Sequence, residues 1–316
     1  MASADHLRLS FLAQPGEAPD WRLVVIYAAA AETGLLGALP GTPSELAARA
    51  RLDEGAVRIT LEALAAFGIV EVTESRYVRT SEAADVDDDI ALRHHAWVIR
   101  RWAAELESHL RGVTLPPAPP VSPESNNVRL RFMAGDARRR SPIAVDACLA
   151  RHPQARRVLD IGGGHGELAL AFTQRGLRAT LQDLPATIEA VRRDPRLAEA
   201  GVEMFASDVF KALPEGPFDI VACSALTPLF SEDQNRELFR RILSVLSPDG
   251  VLLILTMLRG SKPVVSCFSI YMLITAQANG THTEECYRQW LEDAGYRNVE
   301  TIDVNNGLHS LLLATV

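Results

Sequence analysis

Residues 155–176 read ARRVLDIGGGHGELALAFTQRG, and the change of character within this run decides the fold. Val158, Leu159 and Ile161 form an apolar stretch short enough for a buried parallel strand, and Gly162, Gly163, Gly164 and Gly166 stop it abruptly before a helix begins. The pattern Asp-x-Gly-x-Gly-x-Gly must be separated from the dinucleotide fingerprint Gly-x-Gly-x-x-Gly, which also follows a first strand. Counted from Gly162, the third glycine of that fingerprint would fall at position 167, where this chain has Glu167. A carboxylate at a helix N-terminus repels the pyrophosphate that such a terminus otherwise attracts. The spacing therefore points to a nucleoside ligand without phosphates.

S-adenosylmethionine is such a ligand, and Asp160 can face its cationic aminoacyl end. Further on, RATLQDLP reads as a second strand ending at Asp183, about twenty residues past the glycines, where an acid can hold ribose hydroxyls. VEMFASDVF reads as a third strand ending at Asp208, whose carboxylate can accept a hydrogen bond from an adenine amino group. In this order and spacing DIGGGHG, QDLP and SDVF resemble the S-adenosylmethionine-dependent methyltransferases of the O-methyltransferase type common in plant and bacterial secondary metabolism. The resemblance extends over nearly the whole chain. It implies a cofactor site of Asp160, Gly162, Gly164, Gly166, Asp183, Leu184, Asp208 and Val209, with Ser224 standing where the family has a lysine of its adenine pocket. It also implies a class I Rossmann-like domain with a seven-stranded sheet whose last strand is antiparallel, preceded by a mostly helical winged-helix dimerisation domain.

The chain has 316 residues, of which 47% are hydrophobic and 23% charged, long enough for two domains and a substantial core. A formal net charge of −8 argues against a general binder of nucleic acid or anionic membrane, leaving small molecules as expected partners. Cys148, Cys223, Cys267 and Cys286 are widely spaced, so neither a metal site nor a disulfide framework is expected. The start MASADHLRLSF has no apolar signal core, and no stretch reads as a membrane span, so a cytoplasmic protein is expected.

Three segments follow from the periodicity: a winged-helix domain with its following helix over 1–112, a proline-rich connector and linking helix over 113–150, and the cofactor-binding domain over 151–316. In the first, residues 20–38 read as one alanine-rich helix ended by Pro-Gly-Thr-Pro at 40–43. Thr42 or Ser44 can cap a next helix, Asp53 a third running to about Phe67, and GIVEVTESRYVRT reads as a two-stranded wing. A DNA-binding reading fails on charge: residues 41–80 carry five arginines (49, 51, 58, 76, 79) against six acids (45, 53, 54, 62, 71, 74). A homodimer is implied by the resemblance instead. The acids from Asp85 to Asp89 read as a solvated helix start. Trp97 on that helix is a candidate substrate contact, as are Phe132, Met133, Phe268, Tyr271 and Met272. TLPPAPPVSP, 114–123, reads as an extended connector. From Arg157, strands at 157–161, 178–182, 202–207, 218–224 and 251–257 alternate with helices, and RNVETIDV and HSLLLATV supply the last two. The antiparallel last strand would place His309, with Asn305 and Asn306, at the ligand-binding edge.

Methyl transfer is an in-line displacement in which alignment supplies much of the catalysis, and a neutral phenol additionally benefits from a base. The resembled family supplies a histidine after the fourth strand and orients it with glutamates. Here CSALTPLFSEDQ puts Pro228 in the histidine slot, or Thr227 with one gap, and the glutamate positions fall on Thr256 and Thr281. None can act as a base at neutral pH. Three readings follow: methyl transfer to a carbon, oxygen or nitrogen of a small aromatic natural-product intermediate without that base, with His309 or His282 as alternative bases; a non-methylating reaction that uses the cofactor; or a regulatory DNA-binding protein.

Overall fold

The computed structural model describes residues 20–80, 86–113, 123–275, 280–304 and 308–316, and the chain divides into two units, 1–114 and 115–316. Asn305 and Asn306 and most of the proline-rich connector lie outside the described residues.

The first unit opens with α1 (Trp21–Glu32), capped by the Asp20 carboxylate on the Arg22 amide. This helix is shorter than the 20–38 expected from its alanine-rich composition. Gly34 at φ 80 breaks the helical path, and only a single 3₁₀ turn follows at Leu36–Ala38. Helix α2 (Pro43–Ala50) has Thr42 and Glu45 as a reciprocal capping box, and α3 (Glu54–Ala66) is capped by Asp53. The wing consists of β1 (Val70–Thr73) and β2 (Arg76–Arg79), paired antiparallel. Helix α4 (Val86–Leu110) follows. Its Asp89 is not simply solvated, as the acid run implied: the carboxylate accepts a 2.9 Å hydrogen bond from the Tyr27 hydroxyl and pairs with Arg93 at 3.3 Å.

The second unit begins with α5 (Pro123–Leu149), which absorbs Pro123 and the linking helix. The sheet is built from β3 (Arg157–Ile161), β4 (Arg178–Asp183), β5 (Glu203–Ala206), β6 (Phe218–Ser224), β7 (Leu246–Thr256), β8 (Asn298–Val304) and β9 (His309–Thr315). Their spatial order is β5-β4-β3-β6-β7-β9-β8. Strand β9 runs antiparallel to both neighbours and the other pairings are parallel, so the expected seven-stranded sheet with one reversed strand is present. Because side chains alternate across a strand, Val158, Ile220, Ala222, Leu253 and Leu313 pack one face with α5 and α6 (Glu167–Thr173). Leu159, Val221, Cys223, Ile254 and Leu312 pack the other with α9 (Glu232–Leu243) and α11 (Glu284–Ala294). No helix among the described residues is long and apolar enough to cross a membrane.

The reversal of order between β4-β3 and β6 puts a crevice outside the carboxyl ends of these strands. The turn that opens it runs from β3 into α6 and depends on Gly166, which sits at φ 80, and a Cβ there would come within 2.6 Å of Leu197 Cδ2. Gly166→Ala is expected to destabilise the protein by roughly 2–4 kcal/mol, combining the left-handed backbone cost with overpacking; chemical denaturation measures it, and a loss below the error of the method would contradict the account.

Candidate active site

A cavity of about 410 Å³ opens at that crevice. Its wall comes from Leu130, Met133, Ala137, Arg140 and Ser141 of α5, from the glycine turn, and from the segments that follow β4, β5 and β6. Of the expected cofactor residues, Asp160, Gly162, Gly164, Asp183, Leu184, Asp208, Val209 and Ser224 all line it, and Gly166 does not. Gly166 serves the packing of the turn.

Each acid is fixed by backbone donors. Asp183 accepts from the Gly164 amide at 2.9 Å and from its neighbour Leu184 at 2.7 Å. Asp208 Oδ1 accepts from the Phe210 amide at 2.9 Å, a local turn of the kind aspartates favour. Asp160 is fully buried; its Oδ2 accepts from Ala169 at 3.2 Å, while Oδ1 has no hydrogen-bond partner among the described residues. Burial pushes its pKa up to about 7, with the Asp183 charge adding to the shift and the Ala169 amide opposing it. Two further buried polar atoms, on residues that line the cavity, lack partners among the described residues, Arg140 Nε and Ser141 Oγ.

Glu167 does not act as the sequence reading supposed. Its carboxylate turns to Arg138 at 3.1 Å and Arg196 at 2.9 Å and is not among the residues lining the cavity. The acids that do line it are Asp160, Asp183 and Asp208. Ser224 ends β6 and lines the same cavity as Asp208. Its hydroxyl accepts a 3.4 Å hydrogen bond from Arg140.

The slots for the family's base machinery are filled by core. Thr227 and Pro228 are buried in a 3₁₀ turn, and Thr227 Oγ1 meets the Tyr287 hydroxyl at 2.6 Å. The same Tyr287 hydroxyl contacts Thr256 Oγ1 at 3.4 Å, and Thr281 Oγ1 meets Ser269 Oγ at 2.6 Å. Burial pushes the Tyr287 hydroxyl up to about 12, so it stays a neutral donor. His282 packs edge-on against Trp290 at 4.8 Å, and its pKa is lowered chiefly by burial. His309 is buried, 3.9 Å from the Asp136 carboxylate, and burial with the Arg140 charge lowers its pKa to about 4. Neither histidine is among the described residues lining the cavity. His165 does line it, but is held neutral by burial and by the arginines around it, its pKa lowered to about 3, and its Nδ1 accepts from the Glu167 amide at 3.2 Å.

Of the expected substrate contacts, only Met133 lines the cavity. Phe268 and Tyr271 stack on each other at 5.6 Å on α10 (Pro263–Thr275), next to buried Met272, and none of the three lines it. The Phe132 side chain lies outside the described residues, and Trp97 belongs to the first unit, with the Arg101 guanidinium over its ring at 5.2 Å. The sequence reading missed Arg140, Ser141, Leu226, Leu229 and Phe230. The run Arg138-Arg139-Arg140 was a signal, but which of three arginines turns inward depends on the helix rotation. It also missed Ala225, held at φ 55 directly after β6, a backbone state that non-glycine residues adopt at a cost and that recurs at functional loops.

Residues 133–301 match a family profile described as a methyltransferase domain. The chain is 27% identical over 301 residues to 3-hydroxy-5-methyl-1-naphthoate 3-O-methyltransferase of Streptomyces sahachiroi, covering 87% of this chain and 86% of that protein. Over 106 residues, 32% of this chain and 28% of the relative, it is 37% identical to the aclacinomycin 10-hydroxylase RdmB of Streptomyces purpurascens. Its fold is that of human N-acetylserotonin methyltransferase in complex with SAM, with a TM-score of 0.74 at 19% identity over 93% of this chain and 94% of that one.

If the Thr227, Thr256 and Tyr287 hydroxyls are structural, Tyr287→Phe should cost about 1–3 kcal/mol through the orphaned threonine hydroxyls and leave the turnover number within about threefold. Denaturation and initial-rate measurements read the two quantities; a hundredfold drop in turnover with unchanged stability would make the cluster catalytic.

Proposed function

The chain belongs to the methyltransferase-domain family, and on that premise we propose that it transfers the methyl group of S-adenosylmethionine to a carbon, oxygen or nitrogen of a small aromatic natural-product intermediate. The carrying observation is that Asp160 within β3, Asp183 at the end of β4 and Asp208, two residues past β5, line one cavity beside three adjacent parallel strands. The residues fit the cofactor at the point where the fit is most demanding, because the unpartnered Oδ1 of buried Asp160 suits an ammonium group. Asp183, with one oxygen turned to each of two backbone amides, retains lone pairs for ribose hydroxyls, and Asp208 retains an oxygen for the adenine amino group.

When bound, the cofactor supplies an electrophilic methyl group on a positively charged sulfur. The chain's own part is to align the acceptor with that group and to exclude water, and Met133, Leu226, Leu229 and Phe230 give the cavity apolar surface for the purpose. Thr227, Thr256 and Thr281 are buried in hydroxyl contacts, which favours an acceptor that needs no base from those positions. The aromatic substrate class is supported by the naphthoate methyltransferase to which most of the chain is similar. The first unit is read as a dimerisation scaffold, supported by exposed Trp21, Ile59 and Val72. The likeness to a hydroxylase favours, as a second reading, a reaction that keeps the cofactor's methyl group in place.

Incubation with methyl-labelled cofactor and a panel of hydroxylated aromatic acids and quinones is expected to move label to product with equimolar S-adenosylhomocysteine. Product without S-adenosylhomocysteine would establish the second reading. In the same assay Asp183→Ala should weaken cofactor binding by about 10–100-fold, the loss of charge-assisted hydrogen bonds to a diol; unchanged affinity would contradict the assigned role.

The Asp160 pKa near 7, against an ordinary 3.8, has a definite sign. Between these values the folded protein holds a proton that the unfolded chain has released, so the ligand-free protein loses stability as pH rises through this window. An ammonium group binds the ionised form. Affinity for S-adenosylhomocysteine should therefore rise from pH 5.5 toward about 7 and level off, and Asp160→Asn should bind more weakly and without that dependence; calorimetric titration across pH tests both.

A further inference from the structure

Among the described residues that line the cavity, Arg140 is the one arginine or lysine; His165 is a neutral ring there, and the other charged residues are Asp160, Asp183 and Asp208. Arg140 reaches the wall from α5, where Leu130, Met133, Ala137 and Arg140 recur at helical spacing and make one face, apolar along its length and cationic at its end. The axial rise from Met133 to Arg140 is about 10 Å, enough apolar wall for a fused aromatic body to lie against.

Arg140 Nη2 donates to Ser224 Oγ at 3.4 Å, and Ser224 is half-buried and lines the same cavity. Because that oxygen accepts from the guanidinium, its own O–H is left to donate elsewhere, so the two side chains offer donors side by side. Where the resembled family carries a lysine at position 224, this chain carries a small serine and meets it with a cation from α5. Behind the guanidinium, Asp136 pairs with Arg140 and also with Arg139 at 3.6 Å. One carboxylate thus serves two arginines and leaves the cluster a net positive charge. His309, 3.9 Å from that carboxylate, is neutral and adds none.

We propose that Arg140 and Ser224 bind a carboxylate of the acceptor, so that the substrate is an aromatic acid whose ring lies along the Leu130, Met133 and Ala137 face of α5; this rests on the reading above that the chain methylates a small aromatic acceptor. The carboxylate is the handle and another atom of the ring system takes the methyl group. A guanidinium already fixed by Asp136 and Ser224 loses little freedom when the anion arrives, and the anchored ring is held in one orientation toward the methyl donor. Asp136 is a positioning residue, acting through Arg140.

Calorimetric titration of the full chain, saturated with S-adenosylhomocysteine, tests the proposal with a hydroxynaphthoic acid, its carboxamide and the matching naphthol. The acid should bind about 100-fold more tightly than either neutral ligand, within the range for hydrogen bonds to charged groups. Arg140→Met should reduce that preference to about threefold or less while the naphthol and S-adenosylhomocysteine keep their affinities within about threefold. Ser224→Ala leaves the Asp136–Arg140 pair intact and should lower the preference about tenfold, which keeps the comparison open should Arg140→Met fold poorly. Arg140→Met combined with Ser224→Lys, which returns a cation to the strand end, should restore part of it. Equal wild-type affinity for the acid and its carboxamide overturns the proposal without any variant. An Arg140→Met protein that keeps the preference overturns it too, as does one that loses S-adenosylhomocysteine affinity by the same factor as the acid, which would assign the guanidinium to the cofactor. Normal binding of S-adenosylhomocysteine with no affinity for any of the three arenes would instead overturn the aromatic-acceptor reading on which the proposal stands.

Discussion

A carboxylate enclosed in the middle of a parallel strand is the constraint around which the second unit is arranged. Asp160 is taken out of water on the face of β3 that α5 and α6 cover, and its charge is stabilised by a single backbone amide of α6. The neighbouring Gly163 is required by the same carboxylate, because a Cβ there would stand 2.7 Å from Asp160 Oδ2. Gly166 then turns the chain so that α6 starts where its amides can reach back. The turn, the helix start and the acid form one device, and each loses its purpose without the others. Its cost in the ligand-free state is a buried group held half-way to neutrality, and a cationic ligand group relieves it.

The opposite face of the sheet carries neutral residues where the resembled family carries its base machinery. Where the resembled family places a histidine and two glutamates, this chain has Pro228 or Thr227, Thr256 and Thr281, and the hydroxyls of Thr227 and Thr256 meet that of Tyr287. Thr227 and Thr256 are neutral hydroxyls satisfied by Tyr287, and Thr281 is satisfied by Ser269, so no buried charge needs compensation there. The cofactor side retains its acids in the expected order. Asp160 and the Thr256–Tyr287 contact thus lie on different strands and on opposite faces of the same sheet.

Much of this arrangement was readable in the sequence. The glycine turn, the acids ending two strands, the seven strands and the Thr42, Asp53 and Gly295 helix boundaries all follow from local chemistry, which acts within a few residues. The destination of Glu167 was not readable, because its arginine partners come from residues 29 positions away on either side. The inward turn of Arg140 was equally hidden: it depends on the rotation of α5 against β6 and β9, which no periodicity in a helix of mixed polarity specifies. The aromatic and methionine side chains of α10 illustrate the remaining difficulty, since Phe268 and Met272 are chemically suited to a pocket and are instead packed in the interior. Residue type announces acids and glycines well because their energetic demands are narrow, and announces apolar pocket residues poorly because any core satisfies them.

The Thr227–Tyr287 contact also bears on what position 227 can hold. A histidine there would bring an imidazole into a buried site already closed by the Tyr287 hydroxyl at 2.6 Å, with threonines at 256 and 281 in place of orienting acids. Overpacking of that kind costs about 1–3 kcal/mol, to which desolvation of the ring is added. The hydroxyl cluster thus makes this turn intolerant of a larger, ionisable side chain.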